Sequence, residues 1–549
     1  MNMNELIVQT LEQLDVEWVF GGTGQINAPL MIALSKSDKI KTIIVKNEQA
    51  ASFMACGYAM FSGKLGVCFA TGGPGAFNVM SGLAVALSDS LPVLAITGYE
   101  SVETEGKGAL GETSGLVRTP DSQKMFAATT KKSFIINDIE QSCSIVESAV
   151  NTAFEGRPGP VHIHTPINLT TTEIPNYREI SIKTKESLPK PEKTTEFAAA
   201  IARAIHGGKQ IMALIGYGAI ASQAEKELLE FIEKFQIPFA TTMDGKGILP
   251  ENHPLSLGVF GTVGDPGAVQ YFKAADLVLA LGNSFAGPAT FAFKEDLYSG
   301  KILMHINIDK VEINKVYEAD YSMISNIKPA IAGITEKLSG IVGSVAPKSI
   351  TGDKWYDKAV EYTGTKIHPA ELVKSLSDNL PPDSIVLGDA GGHMLWLSAY
   401  LHLTQGQLYQ NPGNFGPMAS HVNGAIGVKC AHPDRHVICG CGDGAYLMAG
   451  FELLTAVQYN LPVIWIIFNN SEFNIIKYTL NMQFNEAPFM DFLNPDYAAY
   501  AQACGAIGFR VEKMDDFEQV FQQALQQNKP TLIDVVLESD VYPPFTMEY

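Results

Sequence analysis

Residues 435–470 constrain the fold of this chain more than any other stretch. The apolar run His436-Val437-Ile438-Cys439 reads as a buried strand that ends in the glycine turn Gly442-Asp443-Gly444. From 445 to about 459, apolar positions at Leu447, Phe451, Leu454 and Val457 predict a helix. Residues 461–468 form a second buried strand, which stops at Asn469-Asn470. Such a strand–helix–strand unit sets Asp443 and Asn470 at the carboxyl ends of neighbouring parallel strands, the edge at which open α/β sheets bind ligands. One charged and one neutral oxygen donor suit a hard cation such as Mg2+, which completes its shell with phosphate oxygens. The glycines let the backbone and the following helix N-terminus approach a phosphate. The physical reading is a magnesium–diphosphate anchor. The plain alternative is an ordinary crossover with Asp443 as a helix N-cap.

The pattern Gly442-Asp443-Gly444, then 24 residues (445–468), then Asn469-Asn470 resembles the signature of thiamine diphosphate (ThDP) enzymes. Further along, Gly75-Ala76-Phe77-Asn78 after Gly73-Pro74, together with Pro158-Gly159-Pro160-Val161 and Asp244-Gly245-Lys246-Gly247, narrows the resemblance to the acetolactate synthase-like branch. The resemblance covers nearly the whole chain. It implies an α/β fold of three consecutive doubly wound parallel-sheet domains. These are a pyrimidine-binding domain (1–171), a central domain (196–340) and a diphosphate- and Mg-binding domain (367–549), joined by linkers at 172–195 and 341–366. An internal echo supports it: Gly75 to Leu91 spans 16 residues and Gly444 to Leu461 spans 17, each running from a glycine turn through a helix to Leu-Pro-Val.

Length and composition fit this reading. A chain of 549 residues exceeds one core and divides into about three domains. A net charge of −19 argues against nucleic acid and anionic membranes as partners. Seven cysteines without a C-x-x-C pair point to a reducing compartment, and the absence of a long apolar span or a signal pattern points to the cytoplasm.

The resemblance also implies roles for individual residues. Glu48, where the strand 41–46 becomes a helix, corresponds to the acid that shares a proton with the cofactor's N1′; the plain alternative is a carboxylate favouring a helix N-terminus. Asp443, Asn470 and the backbone carbonyl of Glu472 would hold Mg2+. Gly75, Asn78, Gly392, His393, Gly416, Gly442, Gly444 and Ala445 would surround the cofactor. Met418 would be the apolar prop beneath it, although methionine is also a common core filler. Phe77 and Phe473 would line an apolar pocket, and His421 carries no assigned role. In the family, the first and last domains of a site come from different subunits, which implies a homodimer or a dimer of dimers.

The chain departs from the family pattern at several points. Gly111 stands where anabolic acetolactate synthases carry glutamine, Thr479 where they carry tryptophan, and the loop 117–132 is longer. In the middle domain, Gly216-Tyr217-Gly218 is a weak dinucleotide signal, and Gly282-Asn283-Ser284 replaces the Arg-rich segment of flavin-carrying relatives, so FAD is the lesser reading. The function implied is ThDP- and Mg-dependent decarboxylation of pyruvate or a related 2-oxo acid followed by carboligation. A simple decarboxylase releasing an aldehyde and a non-catalytic ThDP-fold binding protein are the alternatives.

Overall fold

The computed structural model describes residues 1–183, 189–343, 345–347, 350 and 352–546. Residues 184–188 of the first expected linker, and 344, 348, 349 and 351 of the second, therefore lie outside the described residues. Three six-stranded sheets follow one another along the chain, and every strand pair in them is parallel. Numbered in chain order within each sheet, the strands of the first and third sheets share the order 2-1-3-4-6-5. The sequence echo thus reflects a repeated topology. The middle sheet has the order 6-5-4-1-2-3, that of dinucleotide-binding folds.

The anchor strands form as their apolar runs require. Val437–Gly442 pairs in register with Val463–Asn469, which brings Gly442 opposite Phe468. The segment after Asp443 differs from its expected form. Instead of one helix, it is a short helix Asp443–Ala449, a 3-10 turn Gly450–Glu452 and a second helix Leu453–Gln458. Leu447, Phe451 and Leu454 are also 43%, 64% and 40% exposed, whereas Tyr446, Leu453 and Ala456 are buried. The periodicity located an apolar face, but that face is turned outward within this chain. In the long loop 117–132, Asp121 accepts the Lys124 N–H and starts a helix, Ser122–Thr129.

The first and last domains are locked by two helices, Glu48–Ser62 and Ser420–Ala431. Both are buried along most of their length, and their backbones touch. A Cβ on Gly57 would fall 2.2 Å from the Gly424 carbonyl oxygen, and one on Gly427 would fall 1.9 Å from that of Met54. Phe53, Met54, Tyr58, Val422, Ala425 and Ile426 belong to one core with the strands of both domains. Ordinary helix propensity favours alanine over glycine by about 1 kcal/mol. At Gly427 this contact reverses the sign: Gly427→Ala is expected to destabilise the protein by roughly 1–3 kcal/mol. A thermal melt checks this; an unchanged or raised Tm would refute the contact.

Candidate active site

Asp443 begins its helix at the end of Val437–Gly442 and is 2% exposed. Its Oδ1 accepts the Gly444 N–H (2.8 Å), and its Oδ2 accepts the Ser471 N–H (2.7 Å) and the Asn494 amide (2.8 Å). Burial raises its pKa to about 6, against these hydrogen bonds. Ser471, between Asn470 and Glu472, has φ +60°, a strained geometry for a non-glycine residue that the Asp443 carboxylate holds in place.

The twin asparagines divide their work. Asn469 donates to Asp534 (2.7 Å) and accepts from Asn494 (2.8 Å), so it ties the sheet end together. Asn470 gives its amide nitrogen to Glu472 Oε1 (3.2 Å), which leaves its carbonyl oxygen as the group to offer a cation. The Glu472 carboxylate is buried and engaged by Lys477 Nζ (2.7 Å), the Asn474 amide (2.7 Å) and the Asp540 N–H (3.0 Å). With its side chain so engaged, this residue has its backbone carbonyl to present. One carboxylate, one amide oxygen and one carbonyl form a donor set that fits Mg2+.

The Gly442 N–H donates to His393 Nε2 (3.2 Å), which places the ring proton on Nδ1. Burial lowers the pKa of this imidazole to about 3, so it is neutral. The ring expected to face the diphosphate is therefore committed to the anchor strand. Gly392, its neighbour, packs on Asn474 Oδ1. Phe473 lies over Gly444, where a Cβ would meet its ring at 2.6 Å, and it packs at a tilt against Phe492, with ring centroids 4.7 Å apart.

On the first domain, Glu48 starts the helix Glu48–Ser62, capped by Asn47, whose side chain accepts the Gln49 N–H. Its Oε2 accepts the Asn78 amide (2.9 Å), and Gly75 approaches close enough that a Cβ would lie 3.1 Å from Oε1. Glu48 is half-buried and Asn78 exposed. Within the chain this pair shares no hydrogen bond with the Asp443–Asn470 group. Gly416 and Met418 lie on a third segment, between Leu408–Gln410 and Ser420–Ala431.

Several residues escaped the sequence reading. Glu452 accepts the Lys46 and Asn47 N–H groups (2.9 Å each), joining the Asp443 region to the start of the Glu48 helix. Asn494 and Asp534 complete the strand-end network, and Arg510 bonds Asp534 at 2.6 Å. Asp389 accepts the Ala419 and His421 N–H groups (2.7 Å each). Its position just before Gly391-Gly392-His393, at a strand end, was the one available signal. Gly111 has φ +78°, and its Cα would lie 3.0 Å from a Cβ on Gly73, so this loop rests on the Gly72-Gly73 turn. In the middle domain, the Gly218 N–H donates to Gly282 O (3.0 Å), and a Cβ on Gly218 would meet Gly282 Cα at 2.8 Å. That turn is packed against the backbone of the neighbouring strand end.

A strand end whose donors fit a cation, and a carboxylate–amide pair on a second sheet of the same topology, are the features of a ThDP-enzyme scaffold. Family models agree: the Thiamine pyrophosphate enzyme N-terminal TPP binding domain matches residues 1–119, the central domain 198–334 and the C-terminal TPP binding domain 389–535. Among curated relatives, a probable acetolactate synthase large subunit of Methanococcus aeolicus is 31% identical over 98% of this chain and 92% of its own. That of Methanocaldococcus jannaschii is 31% identical over 97% and 91%. The acetolactate synthase large subunit of Corynebacterium glutamicum is 29% identical over 97% and 86%. The chain belongs to the acetolactate synthase-like family of thiamine diphosphate-dependent enzymes.

Lys477 supports the anchor from behind, through Glu472, Asp491 and Asp540. Lys477→Met is expected to leave the buried Glu472 charge uncompensated and to destabilise the protein by about 2 kcal/mol, less than for a fully enclosed pair. Chemical denaturation measures it. An unchanged midpoint would mean that the Glu472 carboxylate is held without the lysine.

Proposed function

We propose that this enzyme decarboxylates pyruvate or a close 2-oxo acid and joins the retained fragment to a second carbonyl compound, using ThDP and Mg2+. The observation that carries the reading is the Asp443–Ser471–Asn470 strand end, a cation site preformed by buried hydrogen bonds. Asp443, the Asn470 side-chain oxygen and the Glu472 backbone carbonyl would hold Mg2+. The Gly442 and Gly444 N–H groups are engaged by His393 and Asp443, so these glycines would serve by letting the backbone come close, and the Ala445 N–H and the Gly392–His393 turn would meet the phosphate oxygens. Gly416 and Met418 support the cofactor rings.

When bound, ThDP would supply the nucleophilic carbon and the electron sink that decarboxylation of a 2-oxo acid requires. Glu48 holds and returns the proton at N1′ of the aminopyrimidine, and the Asn78 amide fixes the carboxylate that does so. Phe77 and Phe473 keep water from the reacting carbon.

The site is completed between two copies of the chain. Glu48 and Asn78 are left accessible on the first domain, and the face Leu447, Met448, Phe451 and Leu454 beside the anchor is 40–64% exposed. Apolar surface of this kind marks a protein interface. The seven free cysteines suit a reducing cytoplasm, and no helix among the described residues is long and apolar enough to cross a membrane.

Glu48→Gln is expected to abolish turnover while retaining cofactor binding, and Asp443→Asn to lose Mg2+-dependent cofactor binding. Mixing the two inactive variants under subunit exchange should restore roughly a quarter of the wild-type rate, because half the dimers carry one intact site. No recovery in exchanged mixtures would place both residues in a site built from one chain.

A further inference from the structure

Segment 411–421 carries Met418, and an aspartate from each of the three domains reaches it. From the middle domain, Asp244 Oδ1 accepts the Asn411 amide at 2.9 Å. On the first domain, Asp89 Oδ2 accepts the Gly413 N–H at 3.3 Å, and beside it Ser88 Oγ accepts the Phe415 N–H at 3.2 Å. Asp389, from the last domain, takes the N–H groups of Ala419 and His421, one on each oxygen. Asp89 and Asp389 are 8% and 0% exposed. Gly413 is seated so closely that a Cβ would fall 2.1 Å from Asp89 Oδ1.

Between these anchors the backbone is under constraint. Gly416 has φ +47°, and Ala419 has φ +75°, a left-handed conformation that an alanine adopts at a cost. Met418 belongs to no apolar core cluster among the described residues and stays partly exposed. With its side chain outside the core clusters of the described residues, its height follows from the backbone anchors on either side. Burial disfavours each carboxylate, and Asp244 repels Asp89, so both acids are pushed up. Neither pairs directly with a cation. A loop that needed no fixed position would not be held by groups of this kind.

We propose that Asp89, Asp244 and Asp389 act together as positioning residues that set the height of Met418 beneath the cofactor and tie it to the relative placement of the three domains. The proposal rests on the reading of Met418 as the cofactor's prop. Because each domain holds one anchor, a shift of the middle domain reaches the reacting centre through Asn411, without any contact of that domain with the substrate.

The test uses the Mg2+- and ThDP-loaded enzyme at saturating cofactor. It compares Met418→Ala, Asp389→Asn, Asp89→Ala, Asp89→Asn, Asp244→Ala and Asp244→Asn by kcat, by KM for pyruvate, by near-ultraviolet circular dichroism of the bound cofactor and by Tm. An asparagine has one acceptor oxygen, so Asp389→Asn must lose one of its two N–H bonds. It is expected to lower kcat about tenfold or more with KM within about threefold, and to change the cofactor's dichroism in the same sense as Met418→Ala. Asp89→Ala and Asp244→Ala should follow it, whereas Asp89→Asn and Asp244→Asn, which keep the single acceptor required, should recover most of the wild-type rate.

If Met418→Ala leaves kcat and dichroism unchanged, the prop reading itself fails. If Met418→Ala alters both while the aspartate variants keep wild-type values, or lose Tm alone, the clamp is overturned. Asp244 is partly exposed, so its alanine variant keeps the test decisive should the buried sites fail to fold.

Discussion

The close contact between the helices Glu48–Ser62 and Ser420–Ala431 is the constraint on which the rest of this structure depends. Glycines at 57, 424 and 427 let two backbones meet where side chains would hold them apart. That contact merges the cores of the first and last domains. One helix begins with Glu48 and the other starts two residues after Met418, so a single packing decision sets the positions of both residues. Glu452 seals the same junction by accepting the two N–H groups just ahead of Glu48.

A second theme is the use of buried carboxylates at strand ends. Asp389 and Asp443 follow the ends of neighbouring strands of one sheet, and burial lifts both to about 6. Neither faces a basic side chain as its main partner. Each is held by backbone N–H groups, which fix the geometry of the segment that follows: Ala419–His421 in one case, Ser471 in the other. Such groups cannot rearrange cheaply, and a site that binds a cation and a phosphate gains from donors fixed in advance.

Much of this was legible in the sequence because it is written locally. The anchor strands and the placement of Asp443 and Asn470 at their neighbouring carboxyl ends follow from apolar runs and a glycine turn. The repeated strand order was foreshadowed by the spacing from glycine turn to Leu-Pro-Val. The Glu48–Asn78 bond joins two motif positions 30 residues apart. What escaped was long-range. Glu452 and Asn47 are 405 residues apart, and no periodicity connects them. Asp389, Asn494 and Asp534 are polar residues whose importance lies in partners that the fold alone supplies. The region after Asp443 misled because its periodicity marks an apolar face without saying which surface covers it, and Gly450 turns the chain before one continuous helix can form. At His393 the motif position pointed to the cofactor, and the fold adds a partner that the sequence could not show, the Gly442 N–H held by its Nε2.

The central claim is that the two halves of the site, acid and anchor, serve carbon–carbon bond formation. The most direct measurement is mass spectrometry of the products formed from isotopically labelled pyruvate, alone and paired with other 2-oxo acids or aldehydes, in the presence of ThDP and Mg2+. A coupled 2-hydroxy-3-oxo acid or acyloin carrying label from the donor, dependent on both cofactors, is the result expected. Free aldehyde and CO2 without a coupled product, or no turnover by protein with ThDP fully bound, would contradict the account.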